Sequence, residues 1–191
     1  MPVVNSYSIL DFYALPEEIH VELINGRYYE MPVLGAMHQD LASYFHILIG
    51  EFVSELGIDC KIYEGSVNVM ILQDDYNMFQ PDLMIVTDKS ILGKREVYGA
   101  PDFVLEIISD EMRRAAIDEK VECYERAGVK KLLIVDIKNR SLTVYDHDGN
   151  SYNCEQYGFV GNMDMNLLGG QVVMDLEKIG CIADEYGKFM D

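Results

Sequence analysis

Apolar residues recur along this chain with two different periods. Between Ala36 and Leu56 they fall every three or four positions (Met37, Leu41, Phe45, Leu48, Phe52, Leu56), which predicts an amphipathic helix that Gly57 can stop. The stretch VELINGRYYEM (21–31) sets Asn-Gly between two alternating runs, a strong short-range signal for a β-hairpin. Strand-like runs follow in CKIYEG, VNVMIL, PDLMIVT and PDFVLEIIS. A second helix is predicted over about Arg113 to Ala127, closed by Gly128. KKLLIVDI, SLTVYDHDG and SYNCEQYG read as a final meander, and DLEKIGCIADEYG as a short closing helix. Many strands with two main helices between them predict an α+β fold: a mixed sheet flanked by helices, preceded by an N-terminal hairpin. No repeat or linker interrupts the chain, so one domain is expected over 1–191.

The run DFVLEIIS contains an anomaly. Alternation places Val104, Glu106 and Ile108 on one face and Phe103, Leu105 and Ile107 on the other, so Glu106 sits among apolar neighbours. A buried carboxylate must be neutralised, paired or set beside a cation. Asp82, just after Pro81 at the start of another buried run, is the natural companion if the two strands are adjacent. Two hard oxygen ligands suit Mg²⁺ or Mn²⁺, and a lone Glu satisfied by backbone or arginine is the competing explanation. On the second helix Ile117, Val121 and Tyr124 define a stripe, with Lys120 about 60° from its centre, near enough to lean inward. Two carboxylates, a cation and a lysine are the minimum for metal-assisted phosphodiester hydrolysis. Without metal, the lysine is expected to pair with the carboxylates.

Charge alters this picture only partly. The formal charge of −18 argues against a protein that coats nucleic acid. Residues 113 to 140 nevertheless carry eight Lys/Arg against five Asp/Glu, which leaves −21 for the remainder. That segment is either a solvated face or the place where a polyanion docks. No apolar run is long enough for a membrane span, and the N-terminal residues lack the pattern of a secretory signal. Cys60, Cys123, Cys154 and Cys181 are scattered without ligand spacing, as expected of reduced thiols in a cytoplasm. His20, His46 and His147 form no further metal pattern, which disfavours a zinc hydrolase.

The order QPDLMIV, GAPDFVLEIIS and DEKVECYERAGVKKLLIVD, with VELINGRYYEM and HQDLASYF ahead of it, resembles the Uma2 family of bacterial proteins over roughly residues 8 to 146. The resemblance implies the restriction-endonuclease-like, PD-(D/E)xK fold and an Mg²⁺- or Mn²⁺-dependent endonuclease acting on DNA. It casts Asp82 and Glu106 as metal ligands, with the Ile107 carbonyl as a third. It takes the lysine from the following helix, at Lys120, because Ile108 stands where the usual lysine would be. It adds Glu22 from the hairpin and His38 from the start of the first helix, the latter balanced against a plain capping or core-edge histidine. It also implies a homodimer, built through the hairpin or a strand edge.

The sequence departs from the family pattern at Met112 and Ala116, where Thr and Asp are usual, and at Leu132-Leu133 in place of an aromatic pair. Asp118 is a shifted substitute for the missing aspartate. These departures support a second expectation: a catalytically silent protein that keeps the fold for protein–protein association. Divalent-metal binding separates the two.

Overall fold

A computed structural model describes residues 6–109 and 111–187, except for the side chains of 111–113. Asp110 and the side chains of Met112 and Arg113 therefore lie outside the described residues. The chain runs α1 (Ile9–Tyr13), β1 (Val21–Ile24), β2 (Arg27–Glu30), α2 (Ala36–Leu56), β3 (Lys61–Glu64), β4 (Asn68–Met70), β5 (Leu83–Val86), β6 (Glu96–Tyr98), β7 (Phe103–Ile108) and α3 (Glu111–Ala127). It continues through β8 (Lys131–Asp136), β9 (Ser141–His147), β10 (Tyr152–Gly158), β11 (Asn162–Leu167), β12 (Gly170–Asp175) and α4 (Leu176–Gly187).

The main sheet has the order β10-β9-β8-β7-β5-β3. Within this sheet, among the described residues, only β7 and β8 pair in parallel, and α3 makes the crossover that a parallel pair requires. The fold is thus α+β, with a central mixed sheet and helices on both faces. The two faces of β7 part as its alternation predicts. Phe103, Leu105 and Ile107 join Leu41, Phe45 and Ile49 of α2 in one core. Val104 and Ile108 join Ala116, Ile117 and Tyr124 of α3 in the other. Every residue of β5, β7 and β8 is buried, which explains their nearly unbroken apolar runs.

The hairpin forms at the Asn-Gly step, with Asn25 at φ 48° and Gly26 at φ 74°. Both central residues are left-handed, as the hairpin's two-residue turn demands. A side chain at residue 26 would meet Ser6 at 2.7 Å, so the position needs glycine twice over. Leu23 pairs with Met78 and draws the hairpin against the segment leading into β5.

Three expectations change. VNVMIL supplies only β4, which leaves the main sheet to pair in parallel with β6. The second helix begins two residues early, at Glu111. The strands do not end with the meander: β11 and β12 add a hairpin whose Met163, Met165, Leu167, Val172 and Met174 cover the α2 side of the core.

Candidate functional site

The buried stripe of α3 consists of Ala116, Ile117, Lys120, Cys123 and Tyr124. These positions are three or four apart around Lys120, so the lysine occupies the centre of the stripe rather than its edge. Its ammonium lies 2.6 Å from Glu106 Oε1 and 2.7 Å from Glu22 Oε1, and all three residues are buried. The Tyr124 hydroxyl donates to the same Glu106 Oε1 at 2.6 Å. Below the ammonium stand the rings of Phe79, 5.5 Å away, and Tyr124, 6.0 Å away, set edge to face. Such rings attract a cation while excluding water. Burial, reinforced by Glu106 and Glu22, holds the Tyr124 hydroxyl well above the ordinary tyrosine range, so it remains a donor.

Glu22 reaches this point from β1, and its Oε1 also accepts the Gln80 backbone N–H at 2.7 Å. Both the hairpin and the chain entering β5 are therefore tied to Lys120.

Asp82 stands one residue before β5. The antiparallel register Leu83↔Leu105 continues to place it opposite Glu106. Its Oδ2 accepts the Ile107 N–H at 2.6 Å, and His38 Nε2 lies 3.1 Å from its Oδ1. Ile108 O accepts from Ile137, so β7 turns its even residues toward β8. Ile107 turns its N–H, and the carbonyl of the same residue, to the Asp82 side. His38 is the third residue of α2 and only 2 % exposed; its Nδ1 lies 3.3 Å from Ser109 Oγ. It is neither a cap nor a core-edge residue but a brace on Asp82. The N-terminal end of α2 adds the positive end of a 21-residue helix dipole nearby.

The expected metal-free pairing is thus met for Glu106, with Glu22 as the second partner, while Asp82 is held by His38 and the Ile107 amide instead. The carboxylates also open into two neighbouring spaces. Glu106, Glu22 and Lys120 border a cavity of about 20 Å³, room for one water-sized occupant. Asp82 and His38 face a cleft of about 430 Å³. Met31 and Pro32 line both and form the partition. Among the described residues no three His, Cys, Asp or Glu side chains are grouped around a metal position. A cation here would rest on two carboxylates, the Ile107 carbonyl and water, a donor set that hard divalent ions accept.

Other expectations resolve plainly. Asp118 is exposed and does not replace the aspartate missing at Ala116, which is buried and lines the small cavity. Leu132 and Leu133 are fully buried, one on each face of β8. Four cations of the basic segment stand beside carboxylates. Arg114 pairs with Asp136, Lys130 with Asp102, Lys131 with Asp146, and Arg140 with Asp184. His46 is taken by Glu64, and His147 Nε2 by the Glu125 carbonyl. Sequence reasoning used Tyr124 only as a stripe marker and passed over Ser109, Gln80 and Phe79. The signal for Tyr124 was its place one turn after Lys120.

Among the described residues no helix is long and apolar enough to cross a membrane. No curated protein matches the chain significantly. The crystal structure of a "putative nuclease" from Anabaena variabilis superposes with a TM-score of 0.73, covering 92 % of this chain and 98 % of that one. At 16 % identity this likeness establishes the fold alone. Residues 9–176 match the model of a family described as "putative restriction endonuclease", and the chain belongs to that family, Uma2.

Proposed function

We propose that this protein is a metal-dependent nuclease that hydrolyses phosphodiester bonds of DNA. One observation carries the reading: a lysine only 3 % exposed is clamped between a carboxylate of β1 and one of β7, with Asp82 opposite the latter. Three carboxylates gather around one buried ammonium, and two of them, Asp82 and Glu106, lie opposite each other, where hard oxygen donors suit a divalent cation.

Asp82, Glu106 and the Ile107 carbonyl would hold Mg²⁺ or Mn²⁺. The ion supplies charge for a phosphoryl oxygen and acidity for a bound water. Lys120 holds a donor toward the charge that develops on the phosphate. Glu22 keeps that ammonium in place when Glu106 is engaged elsewhere, and Tyr124 fixes the Glu106 carboxylate. His38 orients Asp82 through Nε2 while Ser109 steadies the ring.

The test is digestion of native and heat-denatured DNA with Mn²⁺, beside an Asp82→Ala control. Hydrolysis lost in the control is expected. An inert wild type, or an equally active control, would remove the reading. The internal pairing of Lys120 and the buried Ala116 favour the second reading, a silent interaction module, which requires no Mn²⁺ binding by calorimetry. A homodimer in a reducing cytoplasm completes the proposal; the four cysteines are free thiols. Light scattering that returns only monomer would remove the dimer.

A further inference from the structure

The cleft beside Asp82 has the wrong chemistry for a run of phosphates. Its lining contains no Lys or Arg among the described residues. Met31, Pro32 and Leu34 give it an apolar wall, and Gln39 and Gln80 give it amides beside the carboxylates of Glu64 and Asp82 and the rings of His20 and His38. At about 430 Å³ it falls in the range of roughly 300–1,000 Å³ typical of small-molecule sites. Amides and carboxylates against an apolar wall can bond the edge of a nucleobase and the hydroxyls of its sugar.

The rest of the molecule agrees. Duplex DNA carries one negative charge per roughly 1.7 Å and is gathered by cations that neutralise its phosphates. This chain has a net charge of −18. In its basic segment Arg114, Lys130, Lys131 and Arg140 each stand beside a carboxylate that cancels their long-range field. The reactive groups are also recessed: Asp82 is 4 % exposed, Glu106 3 % and Lys120 3 %. A stiff duplex interior cannot enter such a recess, whereas a flexible end can enter the cleft and reach Asp82.

We infer that the cleft between the Met31–Leu34 segment and the start of α2 binds a nucleobase, and that the substrate is a nucleotide-sized phosphodiester, a dinucleotide or a free strand end, rather than the interior of a duplex. This rests on the nuclease reading above. The cleft seats the base and sugar, and the phosphodiester lies beside Asp82.

The experiment compares, with Mn²⁺, the dinucleotide TpT, a short single-stranded oligonucleotide and a closed-circular relaxed duplex, each as kcat/KM per bond at low and high NaCl. It includes Gln39→Trp, which fills the cleft from an exposed position in the first turns of α2. The expected result is at least about a tenfold preference for the dinucleotide or the single strand over the duplex. TpT hydrolysis should barely respond to salt, and duplex cleavage should rise with salt as repulsion is screened. Gln39→Trp should raise KM for TpT about tenfold at unchanged Tm. TpT hydrolysed as well as the oligonucleotide identifies the dinucleotide source; the oligonucleotide alone identifies the strand end. A preferred duplex whose cleavage falls with salt overturns this inference and leaves the nuclease reading intact. An unaffected Gln39→Trp overturns the assignment of the cleft. No hydrolysis of any substrate overturns both readings together.

Discussion

Lys120 and Tyr124, one turn apart on α3, meet at the same oxygen of Glu106, the ammonium as an ion pair and the hydroxyl as a hydrogen-bond donor, each at 2.6 Å. One helix therefore brings the buried acid both a charged partner and a neutral donor. The neutral donor can be removed without changing the charge count or opening a large cavity.

Tyr124→Phe should destabilise the protein by about 1.5–3 kcal/mol, the usual worth of a hydrogen bond to a charged group. For a chain of this size that is a fall in Tm of roughly 3–12 °C. Differential scanning calorimetry at neutral pH checks it. A variant that melts with wild type would show that Lys120 alone suffices for Glu106.

Removing the charged partner should act differently. Lys120→Met leaves Glu22 and Glu106 buried without their common cation, at a cost of about 3–5 kcal/mol. If those carboxylates lie within reach of a divalent ion, Mn²⁺ should restore stability in the variant more than in wild type. Saturation at a hundred times Kd contributes about 2.7 kcal/mol. Thermal melts of both proteins across a Mn²⁺ titration decide it, independently of any hydrolysis. Equal shifts in the two would mean the cation does not take the lysine's place.

Much of this arrangement was legible because it depends on local pattern. Asn25-Gly26 marked its turn, the alternation around Glu106 gave the correct faces, and Gly57 ended α2. What could not be read depends on partners distant in sequence. Lys120 looked like an edge lysine because a charge belongs at the centre of a stripe only when Glu22 and Glu106 meet it there. The ion pairs of the basic segment were hidden because Asp102, Asp136, Asp146 and Asp184 come from other elements. The β11–β12 hairpin was missed for a different reason. Its turn residues are Leu168 at φ 50° and Gly169 at φ 85°, and leucine is not a residue that announces a left-handed turn.

Thiol reactivity should separate the cysteines by burial. Cys123 is fully buried beneath the hairpin turn, its thiol pushed up to about 11 by burial, with Asn25 and Asn77 oxygens at 3.7 and 3.6 Å. Cys154 and Cys181 are exposed. At pH 8 a disulfide reagent should modify those two quickly and half-buried Cys60 more slowly, and should reach Cys123 only after denaturation. Rapid modification of Cys123 in the native protein, located by peptide mass mapping, would mean that the hairpin lifts from α3.

Acid should loosen the joint between α3 and β8. Burial alone would raise the Asp136 carboxyl, but its two 2.6 Å bonds from Arg114 and those from Asn139 outweigh burial and hold it below its ordinary 3.8. Asp102 shows the same balance, with burial opposed by Lys130 and Thr87. Both groups have folded values below their unfolded ones, so their stabilisation is complete above pH 3.8 and is lost as pH falls below it through the folded values. Asp136→Asn should cost about 1.5–3 kcal/mol at neutral pH, the worth of hydrogen bonds to a charged acceptor. Its urea midpoint should then fall less steeply than that of wild type below pH 3.8, because the Asp136 contribution no longer titrates. Parallel midpoint curves for the two proteins across that range would mean that the Arg114–Asp136 clasp does not set the acid limit of the fold.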